Sequence, residues 1–197
     1  MTSSYDPLRR AVLAALASLP LIGVADVRAE SPKARSTGSR ILVAYFSRSG
    51  NTRVVAGLIQ RALGADLFEI QPAEAYPEDY LQTVEQARAE RDKGFEPALA
   101  ARVADMSVYD SLFLGFPIWG GTAPPVIRSF LVTHDLSGKT IIPFITHGGY
   151  GLGNSHAVLT SHATAARLLD GFSMEADQER RTMEQVAQWL GELPLRQ

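Results

Sequence analysis

Three short segments of this 197-residue chain concentrate residues that could do chemistry. The first, Ser47-Arg48-Ser49-Gly50-Asn51-Thr52, crowds hydroxyls, an amide and one glycine into six positions just ahead of a stretch with helical periodicity. Backbone N–H groups at a helix start have no intrahelical partner, and with Ser and Thr hydroxyls beside them they solvate a phosphate without a lysine. A simpler reading makes Asn51 or Thr52 an ordinary helix cap. Arg53 adds a small hint, because a cation in the first turn opposes the helix dipole by a few tenths of a kcal/mol unless an anion is near. The second, Pro117-Ile118-Trp119-Gly120-Gly121-Thr122, joins an indole to an apolar pair and two glycines, which suits a flat ring between an apolar cover and closely approaching backbone. Taken alone, a Trp is more often core. The third, His147-Gly148-Gly149-Tyr150-Gly151-Leu152-Gly153-Asn154-Ser155, is glycine-rich and by itself fits a flexible surface flap equally well.

Other chemistries find no support. The chain has no Cys, which removes disulfides, thiolate nucleophiles and Cys-ligated metal centres. Its four histidines, at 134, 147, 156 and 162, lack the spacing that puts two ligands on one helical face, so no metal site is expected. Neither Gly-x-Ser-x-Gly nor Ser-x-x-Lys occurs, which leaves serine hydrolase chemistry unsupported. No Gly-x-x-x-x-Gly-Lys-Ser/Thr is present, and no Gly-x-Gly-x-x-Gly follows the first apolar run, so the phosphate loop fits a monophosphate better than a nucleoside triphosphate or a dinucleotide. A formal net charge of -2 provides no field for a nucleic acid backbone, and none is expected as a partner.

The elements that must position these loops follow from periodicity. Ile41–Phe46, Ser111–Phe116 and Thr140–Thr146 are apolar on both faces, as buried parallel strands are. Leu67–Ile70 reads as a short strand, and Ala166–Phe172 as a short last one, with Pro143 marking a local irregularity. Helices are expected from Val54 to Gly64, over the polar stretch Glu78–Lys93 with a thin apolar stripe at Leu81, Val84 and Ala87, from Pro125 to Val132, from Ser155 to Ala163 and from Arg180 to Leu193. This alternation predicts an α/β domain over residues 40–197, a doubly wound five-stranded parallel sheet with right-handed crossovers. Ligands of such sheets sit beyond the carboxyl ends of the strands, and the three segments above are the loops that leave three of them.

Residues 1–29 read differently. Leu8-Arg9-Arg10 precedes an apolar run from Ala11 to Ala25, and Val27-Arg28-Ala29 supplies a small-residue cleavage site. The run is about 15 residues with a Pro inside it, short of the roughly 20 a spanning helix needs. It resembles a twin-arginine export signal, which implies a periplasmic or otherwise exported protein with no stable membrane span; the alternative is a cytoplasmic protein that keeps an N-terminal helix. Removing Arg9, Arg10, Arg28, Asp6 and Asp26 leaves 16 basic and 19 acidic groups. Residues 30–39 are polar, rich in turn formers and read as a linker.

From about Arg40 to Leu193 the chain resembles the flavodoxin family. The likeness rests on the strand followed by Ser-Arg-Ser-Gly-Asn-Thr, on Phe116 to Pro125, and on His147-Gly148-Gly149 with Gly153-Asn154-Ser155. It implies noncovalent FMN, with Ser47, Arg48, Ser49, Gly50, Asn51 and Thr52 around the phosphate. Around the isoalloxazine it implies Pro117, Ile118, Trp119, Gly120, Thr146, His147, Gly148, Gly149 and Gly153. It also implies redox function, either reduction of a quinone or similar acceptor at the expense of a pyridine nucleotide, or electron transfer between protein partners; a flavin-free binding module of the same fold is a third reading. Flavodoxin shuttles are strongly acidic, whereas this domain is only mildly so, which weakens the carrier. Arg48 and His147 are groups that would raise the potential of a flavin toward two-electron chemistry.

Overall fold

The computed structural model describes residues 40–175 and 179–193; the expected leader at 1–29 and linker at 30–39 lie outside the described residues. The elements run β1 (Ile41–Tyr45), α1 (Asn51–Leu63), β2 (Asp66–Glu69), α2 (Tyr80–Asp92), β3 (Ser111–Pro117), α3 (Pro125–Thr133), β4 (Thr140–His147), α4 (Ser155–His162), β5 (Arg167–Leu168), β6 (Phe172–Glu175) and α5 (Glu179–Glu192). The sheet is parallel throughout, in the order β2-β1-β3-β4-β5, with β6 also pairing β4. Among the described residues no helix is long and apolar enough to cross a membrane.

Successive side chains of a strand point to opposite faces, so the both-sided apolar runs build two cores. Leu42 and Ala44 of β1, Leu112, Leu114 and Phe116 of β3 and Ile141 of β4 pack with Ile127 and Phe130 of α3 and Leu159 of α4. Val43, Tyr45, Phe113, Ile142 and Phe144 face the other way, onto Val55 and Ile59 of α1 and Val186 of α5. Phe113, Phe116, Phe130 and Phe144 are fully buried, and truncating any one to Ala costs about 3–5 kcal/mol. The chain therefore leaves β1 for one face and β3 for the other. These two strands are neighbours in the sheet, which makes the crevice beyond their carboxyl ends the switch point where ligands bind.

The expected single strand at Ala166–Phe172 is instead two, and Pro143 is the cause. Ile141 accepts a hydrogen bond from the Leu169 N–H at 2.9 Å, so by the alternation of a parallel ladder Pro143 faces the same edge, where its ring nitrogen has no hydrogen to donate. The ladder stops after Ile141↔Leu168 and resumes at Phe144↔Phe172. Gly171 crosses the gap against Pro143; a Cβ there would lie 2.0 Å from the Pro143 carbonyl oxygen.

Candidate functional site

The β1–α1 loop opens at the carboxyl edge of the sheet. Ser47 Oγ accepts the Gly50 N–H at 3.1 Å and folds the loop back on itself. Gly50, at φ 95°, occupies the cap position of α1, and no side chain caps the helix. Asn51 and Thr52 are thus the first helical residues rather than caps, which removes the simpler reading of this loop. The first-turn N–H groups of α1 point out of the helix, and no acidic side chain occupies that turn. Ser49 is exposed.

Arg53 needs no bound anion. Its guanidinium pairs with Glu69 of β2, and this hydrogen bond, with a weaker one to Tyr45, holds its pKa above the usual arginine value. The same pocket raises the Tyr45 phenol, chiefly by burial. Arg48 turns the other way. It donates to the Glu78 carbonyl at 2.6 Å and stacks its guanidinium 5.9 Å from the Tyr80 ring centroid, joining the loop to the start of α2.

Thr52 Oγ1 lies 2.9 Å from Thr146 Oγ1, and both residues are buried. The hydroxyl of Thr146, expected near a ring, is therefore committed to fastening the end of β4 to the start of α1. Its carbonyl accepts the Ile118 N–H at 2.8 Å, which fixes the β3–α3 loop in the same place. A threonine hydroxyl has two lone pairs and one hydrogen, so Thr52 keeps one further bond to give when Thr146 is the donor between them.

In the β3–α3 loop, Trp119 and Thr122 exchange both backbone hydrogen bonds across Gly120 and Gly121, whose φ values of 56° and 77° only glycine adopts freely at consecutive positions. The Trp119 ring is half-buried, edge-on to Phe46 at 5.2 Å and to Tyr76 at 4.9 Å. Tyr76 in turn donates to the buried Glu90 of α2 at 2.8 Å, and Gln86 donates to the other carboxylate oxygen. Burial first, and that carboxylate second, push the Tyr76 phenol pKa well above its usual value.

The β4–α4 loop docks on this turn. Asn154 donates its N–H to the Gly121 carbonyl at 3.0 Å, and a Cβ on Gly153 would sit 1.8 Å from that same oxygen. His147 ends β4 half-buried, and its Nδ1 accepts the Gly149 N–H at 3.2 Å, which places the ring hydrogen on Nε2 when it is neutral. Gly148 and Gly149 are exposed. Ser155 Oγ, at the start of α4, and Arg128 Nε, whose guanidinium reaches Thr122, are buried without a partner among the described residues.

A cavity of about 560 Å³ lies over the switch point, within the range of small-molecule sites. Of the expected site residues, Arg48, Ser49, Pro117, Ile118, Trp119 and Gly120 line it. Ser47, Gly50, Asn51 and Thr52 shape the loop beside it, while His147, Gly148, Gly149 and Gly153 stand outside its lining, and of these four Gly153 packs on the Gly121 carbonyl. The remaining wall is chiefly α2, which the sequence presents as a polar helix with a thin apolar stripe, and Thr122 and Pro125 complete the lining. Tyr80, Thr83, Val84, Ala87, Arg88 and Arg91 face the cavity. Leu81, expected in the apolar stripe, is 68% exposed. The available signal was the 3-1-3-1-3 spacing of those six residues, one helical face on which the only charges are arginines. Among the described residues no cluster of His, Asp and Glu could hold a metal ion.

A parallel, doubly wound sheet with an open phosphate-type loop and an aromatic turn at its switch point defines the class of flavodoxin-fold proteins. The chain belongs to the flavodoxin family, whose model, described as Flavodoxin, matches residues 40–193. Similar solved structures include a Bacteroides uniformis ATCC 8492 protein assigned as a flavoprotein. It is 31% identical with a TM-score of 0.70, and the match covers 79% of this chain and 99% of that one. A Bacteroides eggerthii DSM 20697 protein with the same assignment is 32% identical at TM-score 0.70, covering 81% of this chain and 100% of that one. The flavoprotein of Lactobacillus acidophilus NCFM, solved in complex with FMN, shares the fold at 20% identity and TM-score 0.63, covering 75% and 99%. No curated protein matches the chain.

Proposed function

We propose that this protein binds FMN in the cavity between the β1–α1 loop, the β3–α3 turn and α2, and that it is an oxidoreductase. The observation that carries the reading is the uncapped amino end of α1 opening beside the cavity that Trp119 and Ile118 line. The N–H groups of the first turn, with the Ser49 and Thr52 hydroxyls, bind the phosphate, and Trp119, held by Phe46 and Tyr76, presents an aromatic wall to the isoalloxazine. His147 and the glycines of the β4–α4 loop approach the ring edge from the Gly121 side. The Lactobacillus acidophilus structure, which holds FMN on the same fold, supports the cofactor.

Bound FMN supplies the exchange between two-electron and one-electron chemistry, and the protein contributes binding, orientation and electrostatics. The net reaction we assign is NAD(P)H plus a quinone and one proton giving NAD(P)+ and the hydroquinone. Arginines rather than carboxylates line the cavity, which favours a reductase over an acidic shuttle docking basic partners. We further propose that residues 1–29 export the domain already folded and loaded, because the FMN loops lie about 100 residues apart and exist as a site only after folding. Purified protein should show a flavin absorption spectrum and oxidise NADPH with a quinone. A flavin spectrum without quinone-dependent turnover would favour the carrier, and absence of flavin binding would leave a binding module.

A further inference from the structure

The cavity has two cationic ends. At one, Arg48 lies beside Ser49 and over the Tyr80 ring. At the other stand Arg88 and Arg91, eight and eleven residues further along α2, which at 1.5 Å per residue is about 12–16 Å along the helix axis. Arg91 reaches the Gly120 carbonyl at 3.4 Å, so this second end adjoins the aromatic turn. Among the described residues no carboxylate lines the cavity. Arg88 and Arg91 share one acidic neighbour, Asp92, at 3.7 and 3.1 Å, and Arg48 donates to a carbonyl rather than a carboxylate. Two guanidiniums against a single exposed carboxylate leave positive charge uncompensated where the chain as a whole is slightly negative. Between the two ends the wall is Tyr80, Val84, Ile118 and Trp119, which is flat and apolar.

A single phosphate loop accounts for one cationic end only. Resting on the flavin assignment above, we propose that Arg88 and Arg91 form an anion subsite. It selects, as the partner molecule of the flavin, a flat aromatic compound bearing an acidic group. Charge-assisted bonds from guanidinium favour carboxylate, sulfonate and phosphate oxygens alike, so either the acceptor or the nucleotide donor could carry the group.

The test is equilibrium binding to the oxidised holoprotein, read from the flavin absorption band without turnover. The probes are 1,2-naphthoquinone-4-sulfonate, uncharged menadione, and NADP+ as the nucleotide arm. The sulfonate should bind about tenfold tighter than menadione, as two partly exposed charge-assisted contacts give, and the preference should shrink in 0.5 M salt. Arg88→Gln, which disturbs only the contact to Asp92, should lose about threefold of it. Arg88→Gln with Arg91→Gln should abolish it in holoprotein kept saturated with FMN, while FMN affinity, which feels only the lost Arg91 contact to the Gly120 carbonyl, falls by much less than the sulfonate preference. Competition of NADP+ with the sulfonate, lost in the same variants, would assign the group to the donor; absence of competition would assign it to the acceptor. Equal binding of sulfonate and menadione, or a preference that survives in the double variant, would overturn the subsite. So would a parallel fall in FMN affinity, which would give both arginines to the flavin phosphate. Failure of the flavin assignment itself appears earlier, as absence of FMN binding by the wild-type apoprotein.

Discussion

The Thr52–Thr146 hydroxyl pair joins residues 94 apart in sequence, at the point where α1 begins and β4 ends. Both residues are buried, at 1% and 3% exposure, so removing one hydroxyl costs the other its one protein partner among the described residues. An unsatisfied buried group costs about 1–3 kcal/mol, and Thr52→Val and Thr146→Val should each destabilise the apoprotein by that amount. Replacing both partners by the isosteric apolar side chain removes the orphan along with the bond. The double variant should therefore lose clearly less than the sum of the singles, with a coupling energy of about 1–2 kcal/mol. Urea unfolding of the four apoproteins measures all terms of the cycle, provided the slope with denaturant is common to them. FMN affinity separates the residues further, because the phosphate site proposed above takes a bond from Thr52 and none from Thr146: Thr52→Val should weaken FMN by about tenfold or more, Thr146→Val by much less. Strictly additive stabilities would refute the pairing, and equal effects of both single variants on FMN would refute the assignment of Thr52 to the phosphate.

His134 donates from Nδ1 to the Phe130 carbonyl and accepts the Val103 N–H at Nε2, an arrangement open only to the neutral ring. Burial, the largest influence, holds its pKa below the usual 6.5, so the unfolded chain takes up the proton first. Its contribution is intact above about pH 6.5 and lost as the pH falls toward the folded pKa; the urea midpoint of the wild type should drop between pH 8 and pH 5 relative to His134→Gln, and parallel profiles would contradict this. Gly153→Ala should drive a Cβ into the Gly121 carbonyl and separate the two loops, lowering FMN affinity more than it lowers stability, which FMN titration beside thermal unfolding will read. Residues 1–35 fused to a reporter active only when exported folded should reach the periplasm, and Arg9→Lys with Arg10→Lys should retain it; retention of both fusions would end the export proposal, and export of both would exclude the twin-arginine route.

Much of the frame was legible because β1, β3 and β4 are apolar on both faces and alternate with helical stretches, a combination that a covered parallel sheet satisfies. The placement of the loops leaving β1 and β3 at one cavity was legible too, since the strands that end in them are clear in the sequence. The split of the last strand was only half visible. Pro143 announces itself in the sequence, but which edge its missing N–H faces depends on register with Leu168 and Phe172. Arg53 read as a cation awaiting an anion because its partner, Glu69, comes from the neighbouring strand. The wall made by α2 was hidden for a related reason. A helix facing a cavity keeps an exposed-looking surface, and Tyr80, Val84 and Arg88 acquire a role only once the β3–α3 turn stands opposite them.

The most direct measurement is a pair of titrations of the apoprotein with FMN and with riboflavin, which differ only in the phosphate. Two or more charge-assisted bonds at the start of α1, each about 1.5–3 kcal/mol, predict that FMN binds at least a hundredfold tighter, and that Ser49→Ala narrows the gap by weakening FMN alone. Equal affinity for the two flavins would contradict the account, because the loop from Ser47 to Thr52 would then hold no phosphate.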